Sequence, residues 1–392
     1  MKTLIFTSLV FLLSVQLSNA QWMLDSTGMG SKIVYSLANS GSNIFAGTNL
    51  DGVFKSTNNG DNWTQTALNN RHVAAFGING SNIFAGGYSY GVYRSLDYGT
   101  TWTYLTPLNN QQVNALLAIG TNIIAGVWGN GIFLSTNNGD NWTQTSVNSG
   151  TLALTISGSN IFAGTRENGV LLSTNNGNNW TQTALNTGYV NEIGIYGNDI
   201  FAASTGGLYL STNDGASWTL ISNMGSIIGL AKYSSYLFAA SGGFGVYVSS
   251  DNGANWIQRN EGLGNWNVRA ILILNDYIFA GTAASIYRRP IAEVIGIHSI
   301  STEIPNQFSL SQNYPNPFNP VTNIKFQIVN NSFVILKIYD ITGREIQTLV
   351  NEKQVPGTYE VNWDASGYSS GLYFYRISAD NFTDVKKMIL VK

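Results

Sequence analysis

Six octamers place an acidic or amide side chain two residues before a glycine, a spacing that could bind a metal ion or close a tight turn. A calcium loop of the D-x-N-x-G type also needs a bidentate glutamate six residues after the glycine, and none stands there. The octamers therefore predict tight turns, with glycine supplying a positive φ, and no metal ion or cofactor is expected. They begin at Ser56 (STNNGDNW), Ser95 (SLDYGTTW), Ser135 (STNNGDNW), Ser173 (STNNGNNW), Ser211 (STNDGASW) and Ser249 (SSDNGANW).

A second set of residues combines aromatic rings with arginine and amide groups, which stack on sugar rings and hydrogen-bond their hydroxyls. The candidate ligand-binding residues are Tyr88, Tyr90, Trp128, Arg166, Trp266 and Arg269. Their expected neighbours are Asn49, Asp51, Arg71, His72, Gln111, Gln112, Asn130, Glu167, Tyr189 and Phe244. Each of these is also explained as an ordinary exposed loop residue, so a shared site depends on the fold bringing them together.

Repeated strand-like phrases predict how these residues are positioned. NIFAGT (Asn43 to Thr48) recurs in seven versions, with an alternating strand before each and a short strand such as GVFKS after it. Four short strands per unit of about 40 residues predict an all-β fold, a seven-bladed β-propeller. The loops that enter the inner strand and those that link strands two and three then share one face. The octamers occupy the other face.

The seventh unit is incomplete, since it ends at SIYRRP (Ser285 to Pro290) with no octamer and no outer strand. The phrase WMLDSTGMG, which begins at Trp22, is similar to WTQTALNN, which begins at Trp63. From Trp22 to Trp256, tryptophans recur every 38 to 41 residues. We therefore expect Trp22, in the N-terminal segment, to pair with the strand around Ile286 and Tyr287. That pairing would close the ring and protect an exposed strand edge.

The octamers resemble the Asp-box, S-x-D-x-G-x-x-W, of BNR-repeat propellers. The resemblance implies a structural hairpin between the third and outer strands of a blade. Such propellers include sialidases and xyloglucan-type glycosidases. The repeats also look like the seven-bladed photosystem II assembly factors and sortilin-type receptors, which bind proteins. The Asp-box positions are Asn58, Asp97, Asn137, Asn175, Asn213 and Asp251.

Catalytic patterns are sparse in this sequence. A two-carboxylate glycosidase needs facing acids, and the upper loops offer only Asp51, Glu167, Glu192 and Glu261. A sialidase-like site would use three arginines, for which Arg71, Arg166 and Arg269 are available without the flanking signature of that family. The six blades of that family also differ from the seven counted here. The two histidines, His72 and His298, form no metal site or catalytic triad. We expect a binding protein for a glycan or protein ligand, and a secreted glycoside hydrolase is the alternative.

The N-terminus is typical of an export signal. Lys2, the apolar run LIFTSLVFLLSVQL and the small residues ending at Ala20 predict cleavage after residue 20, with no transmembrane span left afterwards. The chain has no cysteine, which excludes disulfides and a lipid-modified cysteine. A net charge of −2 without a basic stripe is a poor match for nucleic acid.

The repeat ends before residue 291, and residues 292–306 are linker-like. From Gln307 the chain closely resembles the type A C-terminal sorting domain of the type IX (Por) secretion system. The resemblance rests on NYPNPFNP (Asn313 to Pro320), LKIYDITGREI, GTYEVNWDA, SSGLYFYRI and the ending KKMILVK.

The resemblance implies a small immunoglobulin-like sandwich in residues 307–392, recognised by the type IX machinery. It also implies passage through the periplasm to the cell surface or the medium. The expected propeller (residues 21–291) and the sandwich would then have separate cores joined by a flexible segment.

Overall fold

The computed structural model describes residues 21–89, 91–108, 110–186, 188–301 and 303–392. The predicted signal peptide and Tyr90 lie outside the described residues. Within these ranges the only helices are a 3-10 turn at Thr106–Leu108 and one short α-helix, α1 (Ile291–Ile295). No helix in the described part of the chain is long and apolar enough to cross a membrane. The protein is all-β, as predicted.

Residues 21–290, called the N-terminal region below, contain strands β1 to β28. The first fourteen are β1 (Met23–Leu24), β2 (Val34–Ser40), β3 (Asn43–Thr48), β4 (Val53–Ser56), β5 (Thr64–Gln65), β6 (Ala75–Asn79), β7 (Asn82–Gly87), β8 (Gly91–Ser95), β9 (Thr103–Leu105), β10 (Val113–Ile119), β11 (Asn122–Val127), β12 (Gly131–Ser135), β13 (Thr143–Gln144) and β14 (Thr151–Ser157). The others are β15 (Asn160–Thr165), β16 (Val170–Ser173), β17 (Thr181–Gln182), β18 (Val190–Tyr196), β19 (Asp199–Ser204), β20 (Gly207–Ser211), β21 (Thr219–Ser222), β22 (Ile227–Tyr233), β23 (Tyr236–Ser241), β24 (Gly245–Ser249), β25 (Ile257–Gln258), β26 (Val268–Leu274), β27 (Tyr277–Thr282) and β28 (Ile286–Pro290).

These strands form seven antiparallel sheets of four strands each. Sheets 1 to 6 each use four consecutive strands, from β2–β5 to β22–β25, and sheet 7 has the order β1-β28-β27-β26. The first strand of each sheet contacts the first strand of the next, and β26 contacts β2. The NIFAGT-like second strands are the most buried, because their phenylalanines, such as Phe45 and Phe162, pack in the clusters between adjacent sheets.

The N-terminal segment contributes an outer strand to sheet 7. Met23 lies opposite Arg288 and Leu24 lies opposite Tyr287 in an antiparallel pair. The expected partner strand is correct, but Met23 and Leu24 form the pair rather than Trp22. Trp22 is 2% exposed and donates its indole Nε1–H to the carbonyl of Arg259 at 2.6 Å.

The octamers are turns held by the same hydrogen bonds in all six copies. The hydroxyl of the first serine accepts the glycine N–H at 2.8–2.9 Å. The side-chain oxygen of the third residue accepts the N–H four residues later at 2.8–3.0 Å. The glycine has a positive φ, as predicted, and so does the residue before it, such as Asn59 or Tyr98. Asparagine and aspartate suit that position because they tolerate the left-handed region.

The C-terminal sandwich, residues 297–392, consists of two four-stranded sheets whose alternating apolar residues face each other. One sheet has the order β29-β34-β31-β30 and the other β33-β32-β35-β36. The strands are β29 (Ile297–Ser301), β30 (Ser309–Leu310), β31 (Val321–Ile328), β32 (Ser332–Tyr339), β33 (Glu345–Gln354), β34 (Gly357–Asp364), β35 (Gly371–Ala379) and β36 (Phe382–Leu390).

The expectation of two separate cores is wrong. The predicted linker, residues 292–306, contains most of α1 and all of β29, and both bury apolar side chains. One continuous cluster runs from Trp22 and Tyr236 in the N-terminal region through Val294 to Val361 in the sandwich. The two regions therefore share buried surface, which sequence periodicity within either region could not reveal.

Candidate binding site

The topology gathers three kinds of position at the end of the sheets opposite the octamers: the starts of the first strands, the bulges within them, and the loops after the second strands. Seven side chains at these positions, from six of the seven sheets, have aromatic, imidazole or guanidinium groups. We call them the aromatic–arginine cluster: Tyr35, His72, Tyr88, Trp128, Arg166, Tyr189 and Arg269.

Two members of the cluster project from equivalent β-bulges. The pairing register shifts between Val34 and Ser36 in β2, and at the same place in β26, so that Tyr35 and Arg269 are the bulged residues. A bulge redirects a side chain out of the normal alternation. The guanidinium carbon of Arg269 lies 4.5 Å from the ring centroid of Tyr35, within the range of a cation–π contact.

His72 is buried within an aromatic stack. Its ring is parallel to that of Tyr88, with centroids 3.9 Å apart and an interplanar angle of 13°, and it lies 4.4 Å from Tyr35. Neither ring nitrogen has a hydrogen-bond partner in the structure. Burial, with the nearby positive charge of Arg269, lowers the pKa of His72 to about 4. The imidazole is therefore neutral at pH 7, and both of its ring nitrogens are buried within the stack.

The other half of the cluster is built on Trp128. The guanidinium carbon of Arg166 lies 4.9 Å from the ring centroid of Trp128, and Tyr189 meets Trp128 edge-on at 6.2 Å. Burial is the main cause that raises the pKa of Tyr88, Tyr35 adds to it, Arg269 opposes it, and Tyr189 adds a smaller increase.

The charge of the cluster is positive. Among the described residues, neither Arg166 nor Arg269 belongs to an ion pair with a carboxylate. The nearby candidate acid Asp51 is paired with Lys32 at 2.7 Å. Two arginines that are held against aromatic rings and have no counter-ion within the described part of the chain are suited to an anionic group on a ligand.

The predicted site residues are only partly brought together. Tyr88, Trp128, Arg166 and Arg269 belong to the cluster, whereas Trp266 is 51% exposed and makes no ring contact with described cluster members. Phe244 is also exposed, and the N–H of Gly245 beside it donates to the carbonyl of Trp266.

The neighbouring candidates have other roles. Arg71 donates to the Tyr93 hydroxyl at 2.6 Å, and Gln111 accepts the Asn130 amide at 2.6 Å. Sequence reasoning missed Tyr35. Aligning the seven first strands would have placed it at the same position as Arg269.

Glu192 is the single acid at its register position in the first strands. Burial raises its pKa to about 8, so the carboxyl is largely protonated at pH 7. Such a group could serve as a general acid if a second carboxylate faced it across a substrate. The residues at the equivalent positions in the other six sheets are small: Ser36, Ala75, Ala115, Ala153, Gly229 and Ala270.

A cavity lies at the opposite end of the sheets. Its volume is about 540 Å³, and its walls include Asp251 and Trp256 of the sixth octamer repeat and Asp364 and Tyr368 of the sandwich. It is a gap between the N-terminal region and the sandwich, on the octamer side, and is separate from the aromatic–arginine cluster.

The NYPNPFNP motif covers an edge of the sandwich. Asn313 is buried, and its side-chain amide donates to the Thr322 hydroxyl at 2.9 Å. Phe318 donates its N–H to the carbonyl of Ile389 and accepts from Val391, so the loop shields the end of edge strand β36. Covering an edge in this way blocks unwanted strand pairing.

Comparison with known families identifies this C-terminal part. Residues 312–392 match the family described as the secretion system C-terminal sorting domain. The sequence prediction of a sorting domain is therefore confirmed, with a match that starts five residues after Gln307. The chain carries a type IX sorting domain and is directed to the cell surface or secreted. A comparison with curated protein sequences gave no match.

Solved structures similar to this chain are propeller-like, which supports the predicted class of fold. PorZ, a surface component of the type IX secretion system of Porphyromonas gingivalis, aligns with a TM-score of 0.56 and 15% identity over 92% of this chain and 60% of its own. YCF48 from Cyanidioschyzon merolae aligns with a TM-score of 0.56 and 18% identity over 69% of this chain and 98% of its own. The GH74 enzyme of Niastella koreensis aligns with a TM-score of 0.54 and 19% identity over 68% of this chain and 44% of its own. At these identities the similarity concerns the fold alone.

Proposed function

We propose that the seven sheets are the blades of a closed seven-bladed β-propeller and that its octamers are structural Asp-boxes. The contact of β26 with β2 and the pairing of β1 with β28 support closure. The recurring hydrogen bonds of the octamers, which leave their side-chain oxygens occupied by backbone N–H groups, support a structural role over metal binding.

We propose further that the protein is an exported or cell-surface binding protein whose propeller recognises a glycan or protein ligand at the aromatic–arginine cluster. One observation carries this proposal. Arg166 and Arg269 lie on aromatic rings at one end of the sheets, and neither is paired with an acid among the described residues. The ligand should therefore carry carboxylate or other anionic groups.

Aromatic contacts in the cluster are better suited to fixing the arginines than to stacking on a ligand. Arg269 lies over Tyr35, Arg166 lies over Trp128, and His72 lies on Tyr88. A guanidinium held in one orientation loses less freedom when it binds a planar anion. Stacking on a sugar would use the more exposed rings, such as those of Trp266 and Phe244.

Binding is favoured over hydrolysis because paired acids are scarce at this end of the sheets. Asp51 is neutralised by Lys32, and Glu167 lies on an exposed loop. Glu192, with its raised pKa, and the fold similarity to a GH74 enzyme are the observations that favour the glycoside hydrolase alternative.

The proposal can be tested with purified protein lacking the signal peptide, applied to glycan and peptide arrays and to soluble polysaccharides. We expect retention on anionic members, weakened by salt. Arg166→Ala and Arg269→Ala should each reduce affinity about 10- to 150-fold, since a charge-assisted hydrogen bond contributes about 1.5–3 kcal/mol. Trp128→Ala should weaken binding by releasing Arg166.

Arg376→Ala is the matched control, because Arg376 lies 5.0 Å from the Tyr339 ring but belongs to the sandwich. Loss of binding in this variant too, or unchanged binding in both cluster variants, would overturn the proposed site. Repeated hydrolysis of a polysaccharide, abolished by Asp51→Asn, Glu167→Gln or Glu192→Gln, would establish the glycosidase instead.

A further inference from the structure

The polypeptide passes from the N-terminal region to the sorting domain in two stages. It first forms α1 and β29, which are buried or paired, and then enters an exposed segment, residues 303–307. Ile304 is 69% exposed there, and Glu303, Asn306 and Gln307 are also exposed. The accessible backbone therefore lies after β29, on the sorting-domain side of the predicted linker.

Strand β29 is part of the sandwich although it precedes this exposed segment. It pairs with β34 through Ile297 opposite Val361, Ser299 opposite Tyr359 and Ser301 opposite Thr358. β34 pairs on its other side with β31, so β29 supplies the edge strand of that sheet. β29, called the donated strand below, thus lies before the exposed segment and completes a sheet whose other three strands all lie after it.

Helix α1 anchors the donated strand to the N-terminal region. Ile291 and Val294 of α1 are fully or almost fully buried in the shared cluster. The guanidinium Nε of Arg259, which follows β25, donates to the carbonyl of Val294 at 3.0 Å. Pulling β29 away from sheets 6 and 7 would expose these apolar side chains.

Sheet 6 also contacts the sandwich directly. The Tyr236 hydroxyl donates to the carbonyl of Leu349 at 2.6 Å, and the Ser235 hydroxyl donates to the carbonyl of Asn351 at 3.0 Å. Tyr236 and Leu349 are both buried, so water competes poorly for this hydrogen bond. These contacts are independent of β29.

We propose that residues 21–301, which include α1 and β29, hold the sorting domain as a non-covalent partner, so that a cut in residues 303–307 leaves the two fragments bound. The donated strand, the shared apolar cluster and the bonds to Leu349 and Asn351 maintain the complex. Release then requires β29 to separate from β34 as well as hydrolysis of the backbone. This inference is independent of ligand binding at the aromatic–arginine cluster.

The test replaces residues 303–307 of the protein with a recognition sequence for a site-specific protease. After complete cleavage, a denaturing gel should show two fragments, and native size-exclusion chromatography should show one species of unchanged elution volume. Two separate native peaks at micromolar concentration would overturn the proposal.

Substitutions then identify the docking surface. With the N-terminal fragment immobilised, release of the cut sorting domain is followed over time. Tyr236→Phe keeps the ring but removes the bond to Leu349, and should speed release about three- to ten-fold. Val294→Asp should cause release during cleavage.

Val385→Asp is the control, because Val385 is 49% exposed on β36, at the far edge of the other sheet. The same release rate in Tyr236→Phe and Val385→Asp would contradict the proposed surface. Tyr236→Phe decides the question if Val294→Asp fails to fold.

Discussion

Replacing Trp22 with alanine should strongly destabilise the N-terminal region, even though this residue lies only two positions after the predicted signal cleavage site. Trp22 is 2% exposed and packs with Leu263 and Tyr287 in the shared cluster. Truncating a buried tryptophan to alanine costs about 3–5 kcal/mol through lost burial and the cavity left behind. The carbonyl of Arg259 would also lose its indole donor, at a further cost of about 1 kcal/mol.

This sum, about 4–6 kcal/mol, is comparable with the whole stability of many domains. Urea unfolding should therefore show a large fall in midpoint for Trp22→Ala. Deletion of residues 21–30 should be more severe, because it also removes β1 and exposes the edge of β28 to aggregation. The matched control is Trp266→Ala, which removes a ring that is 51% exposed and should cost about 1 kcal/mol or less.

The reasoning would be refuted if Trp22→Ala unfolded at the same urea concentration as Trp266→Ala. The same holds if the truncated protein melted like the intact one. Either result would mean that the N-terminal segment is an appendage and that sheet 7 is stable with three strands.

Two further perturbations test the octamers and the sorting domain. Gly139→Ala should lower the free energy of unfolding by about 1–3 kcal/mol more than Gly120→Ala does. Both glycines have a positive φ, but only at Gly139 would the new Cβ lie 2.5 Å from a side-chain atom, Cδ1 of Leu105. Equal costs would argue against tight packing under the octamer. Removal of residues 307–392 should trap the protein in the periplasm of its host, checked by cell fractionation. The same truncation should lower its melting temperature, because Tyr236 and Val294 lose their cover; normal export of the truncated protein would contradict the sorting role.

Features encoded by local repetition were predictable from the sequence. The period near 40 residues and the NIFAGT-like phrases gave an all-β fold of four-stranded units, because each unit carries its own strand and turn signals. The sorting domain was recognisable for a similar reason, since NYPNPFNP and the other motifs form a dense linear pattern at the chain end. The N-terminal partner of Ile286–Pro290 was predictable because the seventh unit lacks an outer strand and the segment that begins at Trp22 resembles one.

The contacts between sheets and between regions were decided by the tertiary structure alone. The aromatic–arginine cluster joins residues from six sheets, and Tyr35 contacts Arg269 because β2 and β26, which are distant in the sequence, lie side by side. Trp266 was as strong a candidate in the sequence, but it lies outside the cluster because its ring contacts no aromatic ring among the described residues. The apolar core shared by the N-terminal region and the sandwich was not predicted from the sequence either. The apolar residues of α1 and β29 are too few to show a periodicity, and their burial depends on two surfaces that are distant along the chain.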